Sequence, residues 1–203
     1  GFTHAIAGTG TIYFIYPSGS SLNTSITNNV WNNFSLTFSG SMYFMYNGLS
    51  TNGTMNWSNN SITNISRTGA AGTTYFFYAG SSSSPTTLYT VTNNTVNGYT
   101  STLAGTGTLY CFYNSDGATS PYPRKEIYNN TWKNINYPTT GTTYLMYCSY
   151  LGDASGSQGS RIYNNRWDSI TTNSTTTYGI YTTATATTNY PVEIYDNTIS
   201  NYT

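Results

Sequence analysis

The chain has 203 residues, of which only 6% are charged, and its formal net charge is zero. A nucleic-acid-binding protein needs a basic face that neutralises phosphates, so this composition excludes that class of protein. No run of about 18 apolar residues occurs, so the sequence predicts no membrane-spanning helix, and an aromatic content of 17% argues against a disordered chain.

The first predicted element is a four-residue block with tyrosine at both ends, and it occurs six times. The copies are Tyr13–Tyr16, Tyr43–Tyr46, Tyr75–Tyr78, Tyr110–Tyr113, Tyr144–Tyr147 and Tyr178–Tyr181. Short aromatic and β-branched runs bounded by Gly, Ser and Asn are typical of strands. The third position is apolar in every copy and is expected to face the core. Because side chains alternate along a strand, the first tyrosine should face the core too. The last tyrosine should face outward: Tyr16, Tyr46, Tyr78, Tyr113, Tyr147 and Tyr181.

The second predicted element contains an Asn-Asn or Asp-Asn pair flanked by apolar residues. The second member is asparagine in all six copies: Asn29, Asn60, Asn94, Asn130, Asn165 and Asn197. Successive members lie 31, 34, 36, 35 and 32 residues apart by subtraction. A period of this length indicates a solenoid or a propeller. A propeller blade needs about four strands in 40 to 45 residues, so the sequence favours a solenoid of six coils of about 34 residues.

The apolar residues around the asparagine pair predict a corner in the chain. Ile127 and Trp132 are five positions apart, yet both positions are apolar in every copy. In a flat strand they would face opposite sides, so both reach one core only if the chain turns at the pair. Asparagine tolerates the left-handed conformation that such a corner needs. We therefore expect the second asparagines to stack in a hydrogen-bonded ladder, with Asn130→Ala destabilising and Asn114→Ala, in a predicted loop, neutral.

The repeated apolar-x-Asn-Asn-x-apolar turn resembles that of the right-handed parallel β-helix of pectate-lyase-like proteins. The Asn/Thr/Tyr-rich composition is similar to that of long β-helix arrays in secreted surface proteins of Bacteroidota. The resemblance covers all six repeats. It implies an all-β, right-handed parallel β-helix over residues 1–203 as a single array, at an extracellular or cell-surface location. It implies little about activity, because this fold hosts lyases, adhesins and fibres alike.

The charged residues predict no catalytic or metal site. They are Asp116, Asp153, Asp168, Asp196, Glu126 and Glu193, with Arg67, Arg124, Lys125, Lys133, Arg161 and Arg166. Glu126, Arg161 and Glu193 share one column of the repeat and Lys133 and Asp168 another, and such pairs are usually surface salt links. The single histidine, His4, has no partner at a motif spacing, and no cofactor is expected.

The two cysteines, Cys111 and Cys148, align three positions out of register. That offset is about 10 Å along neighbouring strands, which is too far for a disulfide, so we expect two free thiols.

The sequence is compatible with three functions. A structural fibre or stalk is preferred, because residues 1–2 and 201–203 fall at the same phase of the repeat, as in a segment of a longer or self-associating array. An adhesin that binds surface glycans is the alternative; it would use the outward tyrosines together with Tyr128, Tyr163 and Tyr195. A polysaccharide lyase is the least favoured, because no two carboxylates lie on adjacent rungs of one column.

Overall fold

The structure, a computed structural model, describes residues 2–5, 9–51, 53–80, 88–116, 122–152, 159–183, 185–186 and 191–203. These residues form strands and connecting segments with no helix, and every strand pair is parallel. The predicted all-β class and the parallel β-solenoid are confirmed. The chain makes about five turns between Asn29 and Asn197, the first and last positions of the ladder.

Three parallel sheets run along the solenoid. The first follows the asparagine pair and contains Phe2–Ala5, Val30–Thr37, Ser61–Ala70, Thr95–Leu103, Thr131–Tyr137, Arg166–Thr172 and Thr198–Tyr202. The second precedes the pair and contains Thr24–Thr27, Thr54–Ser58, Leu88–Thr92, Arg124–Tyr128, Arg161–Tyr163 and Glu193–Tyr195. The third carries the tyrosine blocks and contains Thr11–Ile15, Ser18–Ser21, Ser41–Thr51, Thr74–Ala79, Leu109–Tyr110, Tyr113–Asn114, Thr142–Cys148 and Thr176–Tyr181. A further pair joins Leu151–Gly152 to Thr185–Ala186.

Equivalent residues of successive repeats pair in register. Val91 lies beside Ile127, and Ile127 lies beside Ile162. The side chain at each repeat position therefore forms a continuous column along the solenoid axis. Parallel strands joined by crossover connections are nearly always right-handed, and right-handed winding stays a prediction for this chain.

The core is a stack of large apolar side chains. Trp57, Trp132 and Trp167 are fully buried, and the rings of Trp132 and Trp167 are parallel with centroids 5.1 Å apart. Burying a large apolar side chain contributes roughly 1.5 to 3 kcal/mol. The last described coil is less protected, with Ile194 47% exposed and Ile199 48% exposed.

The predicted corner at the asparagine pair is confirmed. Ile127 and Trp132 are both fully buried although they are five positions apart. The turn between them is made by the first member of the pair, which has a positive φ of 52° to 59° in every coil. These residues are Asn28, Asn59, Asn93, Asn129, Asn164 and Asp196.

A second corner, which the sequence analysis did not predict, lies within the strand that follows the pair. One residue per coil has a positive φ there, and we call these residues the outer column. They are Asn33, Asn64, Gly98, Asn134, Ser169 and Asn201. Asparagine and glycine adopt this conformation at low cost and occupy five of the six positions, and Ser169 is the exception.

The tyrosine block also bends, and this corrects one prediction. Phe44 and Met45 are adjacent in sequence, yet both are fully buried, so the alternation of side chains changes phase between them. Tyr43 and Tyr46, on either side, consequently both face outward. The same two consecutive buried positions occur in the blocks beginning at Tyr75, Tyr110 and Tyr144. The expectation that the first tyrosine faces the core was wrong, because it assumed a flat strand.

Cys111 and Cys148 are buried free thiols, as expected. Cys148 lies beside Asn114 in the sheet, three positions from the partner of Cys111. Burial raises the pKa of Cys148 to about 11 and also raises the pKa of Cys111.

Candidate functional site

The six second asparagines, which we call the inner column, form a continuous ladder. Their side-chain amides bond one to the next along the column at Nδ2–Oδ1 distances of 2.9 to 3.0 Å. Asn60 illustrates the pattern, because its Nδ2 donates to Asn94 Oδ1 at 2.9 Å and to the Ile26 carbonyl oxygen at 2.8 Å. The backbone N–H of Asn60 also donates to Asn94 Oδ1. Each interior amide therefore links three coils, and the column from Asn60 to Asn165 is buried.

The outward tyrosines form two parallel ladders, which we call the double tyrosine ladder. One consists of the first block residues: Tyr13, Tyr43, Tyr75, Tyr110, Tyr144 and Tyr178. Their rings stack from coil to coil with centroids 4.5 to 4.9 Å apart. The other consists of the last block residues: Tyr16, Tyr46, Tyr78, Tyr113, Tyr147 and Tyr181. In five coils the two rings meet edge to face, as Tyr43 and Tyr46 do at 5.3 Å, whereas Tyr13 and Tyr16 of the first coil stack at 4.9 Å.

Stacking leaves the edges and hydroxyl groups of the interior tyrosines facing outward and covers their ring faces. Tyr78, for example, stacks on Tyr46 at 4.6 Å and on Tyr113 at 4.8 Å. Burial, and to a smaller extent the neighbouring phenols of Tyr144 and Tyr113, raises the pKa of Tyr110 to about 12. Burial likewise raises the pKa of Tyr75 and Tyr78. The surface is thus a neutral array of hydroxyl groups with few open aromatic faces.

A shorter tyrosine ladder runs along the second sheet. Tyr128, Tyr163 and Tyr195 stack with centroids 4.9 Å and 5.0 Å apart and nearly parallel planes. Tyr195, at the end of the ladder, is 40% exposed. The open ring face of this ladder is therefore at the last coil.

Several charged side chains form local ion pairs. Glu126, which was expected in a surface salt link, is buried. Glu126 accepts from Arg124 and from Arg161, and the hydrogen bond to Glu126 raises the pKa of Arg161. Lys133 lies beside Asp168 in register, as expected, but Asp168 pairs with Arg166 at 2.7 Å. Hydrogen bonds from Asn201, Ser200 and Arg166 lower the pKa of Asp168 to about 2.

Asp153 and the side chain of His4, which the sequence analysis considered, lie outside the described residues. Within the described ranges no group of three His, Cys, Asp or Glu residues is placed to hold a metal ion.

Two of the six cations are buried, which the sequence analysis missed. Arg67 is fully buried and donates to the carbonyl oxygens of Phe38 at 2.8 Å and Gly40 at 2.6 Å. Lys125 is fully buried beside Tyr89 in the second sheet. The signal was present, because Lys125 stands two positions before Ile127 and Arg67 two positions after Ile65. Alternation places each on the core side with its neighbour.

Lys125 lies at the centre of a buried polar cluster. Its Nζ donates to Asn114 Oδ1 at 2.8 Å, to the Asp116 carbonyl oxygen at 3.0 Å and to the Ser149 carbonyl oxygen. Asp116 is buried, and its carboxylate accepts from the Tyr89 hydroxyl. Burial lowers the pKa of Lys125. Asn114, which the sequence analysis assigned to a loop, is fully buried at the end of a strand, so the loop assignment was wrong.

In comparisons with known proteins, no family model, no curated protein and no solved structure matches the chain. The described part of the chain contains no helix with the length and apolar character needed to cross a bilayer.

Proposed function

We propose that the chain is a structural segment of an extracellular or cell-surface fibre or stalk. The observation that carries this proposal is the continuity of its side-chain ladders along one axis. The inner asparagine column and the tyrosine stacks both bond each coil to the next. These interactions strengthen the stacking of coils, which is the direction in which a fibre bears load.

The last described coil supports stacking of a further coil on this end. Ile194 and Ile199 are about half exposed, whereas their column neighbours Ile162 and Trp167 are fully buried. Burial of apolar surface contributes roughly 25 cal/mol per Å². A further coil, supplied by a longer chain or by a second copy, would cover these side chains and pair with the exposed strand edges.

Self-association can be tested by sedimentation velocity over a range of concentrations. We expect the wild-type chain to form larger species as concentration rises, and Ile194→Asp with Ile199→Asp to reduce them by placing charge on the apolar end. Asn136→Asp, at an exposed position of an interior coil, is the matched control and should associate like the wild type. Equal association of the double variant and the wild type would contradict stacking at this end.

Location can be tested with an antibody raised against the purified chain. Immunogold electron microscopy of intact source cells should place label along surface filaments or stalks. Label confined to the cell interior would reject the fibre proposal.

A second candidate is an adhesin that binds surface glycans. It is favoured by the outward rows of tyrosine hydroxyl groups at the regular spacing of the strands. Because the faces of the interior rings are covered, a glycan would hydrogen-bond to this surface and stack only at end rings such as Tyr195.

The adhesin is tested by glycan-array binding. Tyr128→Ala with Tyr163→Ala should abolish binding if the shorter ladder is used, and Tyr147→Phe with Tyr113→Phe should weaken it if the double ladder is used. Asn136→Asp is again the control. Absence of glycan binding by the wild type would remove this candidate.

A further inference from the structure

The cluster around Lys125 joins two sheets of one coil through reactive groups. Lys125 lies in the strand Arg124–Tyr128 of the second sheet, and Asn114 lies in the strand Tyr113–Asn114 of the third. Both side chains are fully buried, and Lys125 Nζ is 2.8 Å from Asn114 Oδ1. The amine therefore lies next to the carboxamide group, and the carbon that it would attack is one bond beyond this oxygen. Such proximity, fixed by the fold, strongly favours reaction between the two groups.

We propose that Lys125 and Asn114 form an intramolecular isopeptide bond with release of ammonia. The inference rests on the Lys125–Asn114 contact and on the groups around it, and it does not depend on the proposed fibre.

The amine of Lys125 is suited to be the nucleophile. A lysine reacts as the neutral amine, and burial favours that form by lowering the pKa of Lys125. Asp116 is close enough to interact electrostatically with Lys125, and its carboxylate is buried and hydrogen-bonded to Tyr89. This carboxylate accepts the proton that leaves the ammonium group.

The carboxamide of Asn114 is polarised for attack. The backbone N–H of Asp116 donates to Asn114 Oδ1 at 3.0 Å, so it stabilises the negative charge that develops on this oxygen. Asn114 Nδ2 is buried and has no hydrogen-bond partner among the described residues. Buried polar atoms are nearly always bonded, and here the atom without a partner is the leaving group.

The reaction balances without an oxidant or a further reactant. Nζ of the neutral amine forms a bond to Asn114 Cγ, and the carbonyl becomes a tetrahedral oxyanion. Asp116 returns its proton to Nδ2, the Cγ–Nδ2 bond breaks, and ammonia leaves. Nζ still carries two protons at this stage, and the Asp116 carboxylate takes one of them and passes it to the departing ammonia. The products are a secondary amide between the two side chains, one ammonium ion and the regenerated carboxylate.

A second lysine–asparagine pair, in the first sheet, can be compared with Lys125 and Asn114. Lys133 lies beside Asn97 in the first sheet, so a second lysine is next to an asparagine. Both are partly exposed, and Asn97 Oδ1 accepts from Asn134 at 2.8 Å. This lysine is not enclosed with a buried carboxamide, so no bond is expected there.

Intact-mass spectrometry of the purified, folded chain tests the proposal. The wild type should be lighter than its sequence by one ammonia, and digestion should yield a branched peptide that joins the segments containing Asn114 and Lys125. Lys125→Met should have the full mass of its sequence. Lys133→Met is the matched control and should retain the loss.

One further variant tests the role of Asp116, and the mass data also contain the results that would contradict the proposal. Asp116→Asn keeps the backbone N–H but removes the proton acceptor, so it should fold and show the full mass. A wild type of full mass would overturn the proposal. So would a loss of ammonia that persists in Lys125→Met, because that would arise from cyclisation of an asparagine elsewhere in the chain.

Discussion

The inner and outer columns both contain mainly asparagine and run along the same solenoid, yet they tolerate different residues. The inner column is asparagine in all six coils and is buried in the interior ones. The outer column is exposed or half-buried and includes Gly98 and Ser169. Its side-chain partners also vary, since Asn134 donates to Asn97 whereas Asn201 donates to Asp168.

Burial explains this difference. At an inner position the side chain must accept from two N–H groups of one neighbouring coil and donate to oxygen atoms of both neighbouring coils, as Asn130 does. Only a carboxamide of this length meets both demands away from water. At an outer position water satisfies the polar groups, and the only strict requirement is a positive φ. Identical residues are thus constrained by hydrogen bonding in one column and by backbone conformation in the other.

The largest effect is expected from Asn130→Asp. The carboxylate would replace a donor that faces the carbonyl oxygens of Val91 and Tyr128, and a buried unpaired charge costs about 3 to 5 kcal/mol. Urea unfolding at neutral pH should show this loss. Stability should recover as pH falls, because protonation removes the charge. Asn134→Asp, in the outer column, should change stability little, and an equal loss in both variants would break the comparison.

Asn130→Ala should lower the free energy of unfolding by about 2 to 4 kcal/mol. It leaves buried groups of Asn94 and Asn165 without partners, at about 1 to 3 kcal/mol for each unsatisfied group. Asn197→Ala should cost about 1 kcal/mol, because this half-buried residue has a ladder neighbour on one side only. Urea titration of both variants, with Asn136→Ala as the exposed control, measures the difference. Equal losses at positions 130 and 197 would show that burial does not set the strength of the ladder.

The smallest effects are expected in the outer column. Asn134→Gly should change stability by no more than about 0.5 kcal/mol, because glycine accepts the φ of 53° as Gly98 accepts 78°. Asn134→Ala should cost about 1 kcal/mol, because its Cβ disfavours this conformation. Thermal unfolding of the two variants measures the contrast. A larger loss for glycine than for alanine would mean that the side-chain bond to Asn97, and not the backbone, controls this column.

The sequence by itself determined the repeat, the register and the corner at the asparagine pair. These follow from local patterns, because the apolar positions around Asn129 and Asn130 can reach one core only through a bend. The unpaired state of the two cysteines also followed, since register alone separates them.

Tertiary structure alone decided where the other bends fall and which polar groups the core accepts. Tyr43 faces outward because the strand bends between Phe44 and Met45. No residue type in the sequence marks this bend, so alternation along a flat strand predicted the wrong side of the sheet for Tyr43. Lys125 and Asn114 could not be paired from their spacing, because the Lys125 amine is held by carbonyl oxygens of two coils, including that of Ser149. Alternation indicates that Lys125 is on the core side, but the acceptors that make its burial possible come from other strands and a neighbouring coil, so they are identified only when the coils are stacked.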